Sequence, residues 1–134
     1  TAAKDKTFDP AGQSEMRRNE LRLVARHLEQ RVRATPSAQV LLVGALNDEP
    51  EAAALRGLIG GHDPLLRDVR PLDASGDAWT SYEAGADRYL RHHYLLARTH
   101  LPLSSRVLND PEIRAQSRHR PLWLSAAPAP AADR

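Results

Sequence analysis

The sequence contains no cysteine. Disulfides, thiolate metal sites and cysteine nucleophiles are therefore excluded, and the compartment stays open between cytoplasm and bacterial periplasm. Lysine is nearly absent too, since 17 of the 19 basic residues are arginine. The longest apolar run, Val40-Leu41-Leu42-Val43, is far shorter than the roughly 20 residues of a membrane-spanning helix. Net charge is only +2, too little for charge alone to imply a nucleic-acid partner. Catalytic motifs are also missing. Ser104-Ser105 has no G-x-S-x-G around it, and no H-x-x-x-H occurs. Gly44-Ala45-Leu46 lacks the glycine spacing and the lysine of a phosphate loop. No signal peptide is visible. The chain opens on Thr1 rather than Met, which leaves a processed form or a piece of a longer product open.

What is present is a chain of 134 residues, 41% apolar and 27% charged, values of one ordinary globular domain. Its parts read as an arm over 1–12, a domain over 13–124, and an Ala/Pro-rich, linker-like tail over 125–134. Residues 41–77 carry 3 basic and 7 acidic groups, so an acidic middle lies between two basic ends.

Helical spacing of Met16, Leu21, Val24, Leu28 and Val32 predicts an amphipathic helix over 14–34, stopped by Thr35-Pro36-Ser37. The β-branched run 39–44 predicts a buried strand. Asp48 and Glu51 have capping-box spacing, so a helix is expected up to Gly60-Gly61. Residues 65–71 read as a second strand or an edge, given Pro71. Trp79, Tyr82, Ala86, Tyr89, His93 and Leu96 recur in steps of three and four, which predicts a second long helix over 78–100. Asn109-Asp110-Pro111-Glu112 announces a shorter helix, and Leu122-Trp123-Leu124 a last strand or docking segment. The expected fold is α/β or α+β, predominantly helical. A small sheet of two or three strands is packed by two long amphipathic helices.

Three groups are candidates for function. Arg18, Arg22, Arg26 and Arg33 share one face of the first helix and would suit a phosphate backbone or an acidic partner. The plainer explanation is a solvated face relieved by Glu15, Glu20 and Glu29, with the arginine excess reflecting a GC-rich genome. Tyr82, Tyr89, His93 and His100 form the aromatic and histidine stripe of the second helix. As an interface they would combine apolar area with polar tips. As a metal site they fail, because helical positions seven apart lie about 10 Å apart along the axis. Asp48, with His62 and Asp63, would be the metal or acid–base candidate at the carboxyl end of the central strand, though capping explains Asp48 equally well. No metal and no cofactor is expected.

On these grounds the chain reads as a non-enzymatic protein-interaction module of a larger bacterial assembly, meeting a protein partner or a second copy through the aromatic face. A nucleic-acid-binding domain using the arginine face, or a small metal-dependent enzyme around Asp48, are the alternatives.

Overall fold

The computed structural model describes residues 10–46 and 53–127. The expected arm and tail lie mostly outside these residues, as does Asp48. The element order is α1 (Pro10–Ala34), β1 (Val40–Ala45), α2 (Ala53–Ile59), β2 (Arg67–Asp68), β3 (Ser81–Glu83), a 3-10 turn (Ala84–Ala86), β4 (Arg88–Leu90), β5 (His93–Arg98), β6 (Leu103–Val107), α3 (Pro111–Gln116) and β7 (Leu122–Ala126).

The architecture overturns the expected fold class. The described residues are 35% helical and 28% strand, with three small antiparallel sheets, so the fold is neither predominantly helical nor a sheet packed by two long helices. The sheets are β1-β5-β2, β3-β4 and β6-β7. The only long helix among the described residues is α1. The segment 78–100 is instead a hairpin followed by the central strand of the first sheet.

The reason lies in the spacing itself. Tyr82 pairs with Tyr89, Ser81 with Leu90 and Glu83 with Arg88 across the hairpin. Seven residues separate the two tyrosines, which is both a helical repeat and the separation this hairpin needs. The turn decides between them. Ala84-Gly85-Ala86 closes it, and Asp87 takes a left-handed conformation (φ 45), which aspartate tolerates better than most residues. Aromatic and β-branched residues around the turn favour the pleated alternative.

β5 is buried on both faces. Its register with β1 places Tyr94 opposite Gly44 and Leu96 opposite Leu42, while Leu95 opposes Val43 and Ala97 opposes Leu41. On the first face, Tyr94 and Leu96 join Leu21 and Ala25 of α1, Leu55 and Leu58 of α2, and Leu66 in the main core. On the second face, β7 approaches β5, and Leu95 and Ala97 are buried.

β1 is an edge. Leu46 N–H donates to the carbonyl of His92, and Val69 N–H to that of Leu95. By antiparallel alternation, β5 directs its even-numbered backbone groups to β1 and its odd-numbered ones to β2. The sequence led us to expect a buried strand here, but Leu41 and Val43 are exposed.

Truncation of the core should separate from truncation of the surface. Leu55→Ala and Leu96→Ala each remove a fully buried side chain and should cost about 2–5 kcal/mol of unfolding free energy. Leu23→Ala, on the exposed side of α1, should stay within about 0.5 kcal/mol. Urea denaturation of the three variants checks this.

Candidate ligand cleft

The cleft is built from a hairpin and the strand-like segment that follows α3. Thr80 N–H donates to the Leu90 carbonyl, Arg120 N–H to the Thr80 carbonyl at 2.7 Å, and Tyr82 N–H to the Arg118 carbonyl. Ser81 and His119 form an antiparallel bridge. Residues 118–120 thus run beside β3 as a third strand. Alternation then places His119 on one side, and Arg118 and Arg120 on the other.

Arg120 fixes this arrangement. Its Nε and Nη2 donate to the Trp79 carbonyl at 3.1 and 2.7 Å, and its Nη1 to Asp73 Oδ2 at 2.8 Å. The guanidinium lies 3.5 Å over the Trp79 ring. Asp73 Oδ1 also accepts the backbone N–H groups of Ser75 and Asp77. The Arg120 hydrogen bond, followed by the Asp77 amide, holds the Asp73 carboxyl below its ordinary value of 3.8.

On the His119 side lies a cavity of about 390 Å³, with Val43, Ile113 and Leu122 in its apolar wall and His93, His119 and Ser117 as polar groups. The rings of His93 and His119 meet edge to face at 4.9 Å. His93 Nδ1 is 3.1 Å from Thr80 Oγ1. Burial, then the neighbouring His119 and His92, lower the His93 pKa from 6.5, so its ring is neutral at physiological pH.

On the other side lies a smaller cavity of about 270 Å³, lined by Trp79, Tyr82, Tyr89, Arg114 and Arg118. Tyr89 sits 4.8 Å from Trp79 and 4.9 Å from Tyr82, and the three rings form a shelf. Tyr82 donates its hydroxyl to Asp87 at 2.7 Å, which holds its pKa above the usual 10. Arg114 and Arg118 are exposed, and no carboxylate among the described residues pairs with either. Ser117 and Arg120 line both cavities, which lie on opposite sides of residues 118–120; the larger is the inner lobe and the smaller the outer lobe.

No family model, no curated protein and no solved structure matches the chain.

The sequence-derived candidates separate. Tyr82 and Tyr89 lie together on the shelf, and His93 lines the inner lobe. His100 is exposed in the turn beyond the far end of β5. Its seven-residue step from His93 runs along a strand instead of around a helix. Arg18, Arg22 and Arg26 line a groove between α1 and α2 with Glu29, whereas Arg33 borders a neighbouring hollow with Asp63. His62 is exposed. No set of three metal-ligating side chains occurs among the described residues. Sequence reasoning missed Thr80, Arg114, Arg118, His119 and Arg120. The alternation Arg118-His119-Arg120 was a usable signal, a strand with two arginines on one face and a histidine on the other.

The Asp73 shift has a pH consequence. A carboxyl depressed in the folded state contributes stability above its unfolded pKa, and that contribution disappears as the pH falls through the folded value. Asp73→Asn should therefore lower the thermal midpoint at pH 7 and lose less on further acidification below about pH 4. Thermal melts of both proteins between pH 7 and pH 2.5 measure this.

Proposed function

We propose that the chain is a binding domain whose ligand carries an anionic group on a planar ring. The observation that supports this is the juxtaposition in the outer lobe. A Trp-Tyr-Tyr shelf, with Tyr89 61% exposed, stands beside two arginines that have no carboxylate partner among the described residues. Aromatic faces stack on planar rings with little regard to their identity. Arginine offers a planar fork to phosphate or carboxylate. Neither half alone selects a ligand, but together they favour a molecule with both features. A nucleotide is the plainest example.

This reading departs from the expected protein partner but keeps the aromatic face, moved from a helix to a hairpin. It gives the aromatic face a small ligand, or a strand of linked ones, as first partner. The arginine row of α1 carries the second, nucleic-acid reading less well. Arg18, Arg22 and Arg26 are exposed, but no aromatic shares their groove. No helix among the described residues is long and apolar enough to cross a membrane.

The chain has two tryptophans, so Trp123→Phe leaves Trp79 as the sole indole reporter. Titrating that protein with adenosine monophosphate should quench the fluorescence. Adenosine and ribose phosphate, which each lack one half, should bind at least tenfold more weakly. Stacking on one aromatic ring contributes about 1–3 kcal/mol, so Tyr89→Ala should weaken binding roughly tenfold. Replacing Arg114 and Arg118 by Gln should remove most of the salt dependence. A short single-stranded oligonucleotide, run in parallel, separates a free nucleotide from a strand. Equal binding of adenosine and its monophosphate would overturn the reading.

A further inference from the structure

The inner lobe holds a histidine whose proton position can be derived. Thr80 is 1% exposed, and its Oγ1 has three neighbours within hydrogen-bond distance. The backbone N–H of His92, at 3.0 Å, and of His93, at 3.2 Å, can only donate. Both lone pairs of the hydroxyl are thereby used. The hydroxyl hydrogen is buried and needs an acceptor. The one acceptor within reach is Nδ1 of His93. Nδ1 is therefore unprotonated, and in a neutral ring the single proton sits on Nε2.

Nε2–H has no hydrogen-bond partner among the described residues. The ring that carries it lines a cavity of about 390 Å³ whose wall is largely apolar. His93 is only half-buried, so this donor is open to an acceptor that enters the cavity. A cavity of this size accommodates a six-membered ring.

We infer that the inner lobe is a subsite for an apolar ring or chain bearing a neutral hydrogen-bond acceptor, such as a carbonyl oxygen. His93 Nε2–H is the donor that reads this acceptor, and Thr80 is the positioning residue that holds the tautomer. The inference rests on the reading of the cleft as a ligand site but concerns a different lobe and different residues. A neutral donor in an apolar wall is satisfied by any group that offers an acceptor lone pair, and rejects groups that can only donate, such as an ammonium. It also selects neutral groups over anions, because among the described residues no unpaired arginine or lysine lines this lobe to offset the desolvation of a charge. Arg120 is already bound to Asp73 and to the Trp79 carbonyl.

Two measurements test it. Long-range nitrogen–proton NMR of the labelled protein at pH 7.5 should show His93 Nδ1 with the shift of an unprotonated nitrogen. Thr80→Val should redistribute the tautomers, and Thr80→Ser should restore the original spectrum. Cyclohexanone and methylenecyclohexane, which share a shape and differ in the acceptor oxygen, are then titrated. Cyclohexanone should bind at least fivefold more tightly and shift the His93 Nε2–H resonance. His93→Phe should abolish the difference. Tyr89→Ala should leave it unchanged, so failure here is distinct from failure of the nucleotide titration. A protonated Nδ1 in the original protein, or equal binding of the two ring compounds, overturns the inference.

Discussion

The cleft depends on one buried cation. The Arg120 guanidinium joins its own strand-like run after α3 to a distant stretch of chain, the turn at 73–77 and the start of the hairpin at Trp79. Arg120 is 3% exposed, and a charge this deep is tolerable only because carboxylate, carbonyl and ring together satisfy it. Removing Asp73 leaves the cation without its counter-charge. Removing Arg120 leaves the Trp79 carbonyl without its side-chain donors and the Trp79 ring without its cover. Both lobes would lose their shape, since Arg120 lines each. The clamp thus acts as scaffold, while Arg114 and Arg118 have no carboxylate partner among the described residues.

Helix α1 was legible because its signal is local. Leu21, Val24, Leu28 and Val32 need only helical periodicity to declare a face, although Met16, read on the same stripe, is exposed. The strand β1 was legible for similar reasons, but its environment was not. Val40-Leu41-Leu42-Val43 looks like a strand covered on both sides, yet half of it faces outward. Its partner strand β5 takes the doubly buried position instead. That position was hidden because β5 lay inside a segment with a convincing helical stripe. The seven-residue step between Tyr82 and Tyr89 satisfies both a helix and a hairpin, and only the turn residues distinguish them. Gly85 and Asp87 carried that information, but each is weak evidence alone.

The candidate site was half legible. Tyr82, Tyr89 and His93 stand out by residue type. Thr80, His119 and Arg120 do not, because their significance comes from non-local pairing, over 12 or 13 residues for the Thr80 hydroxyl and 41 or 47 for the Arg120 guanidinium. Nothing in the neighbourhood of Thr80 announces that its hydroxyl will receive two backbone amides and face an imidazole. Nothing near Asp73 announces a guanidinium. The acids of the central segment divide along the same line. Asp68 and Asp73 each bind a buried arginine, although simple inspection favours Asp48 and Asp63 for their place after a strand or a turn.

The arginines differ in how replaceable they are. Exposed ones such as Arg18, Arg22 and Arg26 lie where lysine would serve the same solvated face. Arg91 and Arg120 do not. Arg91 binds both oxygens of Asp68, at 2.5 and 2.6 Å, and lies 4.5 Å over the Tyr94 ring. Arg120 repeats the device with Asp73 and Trp79. In each case one planar group makes several hydrogen bonds in its plane while stacking on an aromatic face. An ammonium cannot do both, because its donors point tetrahedrally and it has no flat face to stack. The first of these arginines secures β2 against β5 and so completes the sheet over the core. The second secures the hairpin against residues 118–120 and so opens the cleft. Core and cleft are thus held by the same chemistry, and lysine would fail at both positions even though total charge would be unchanged.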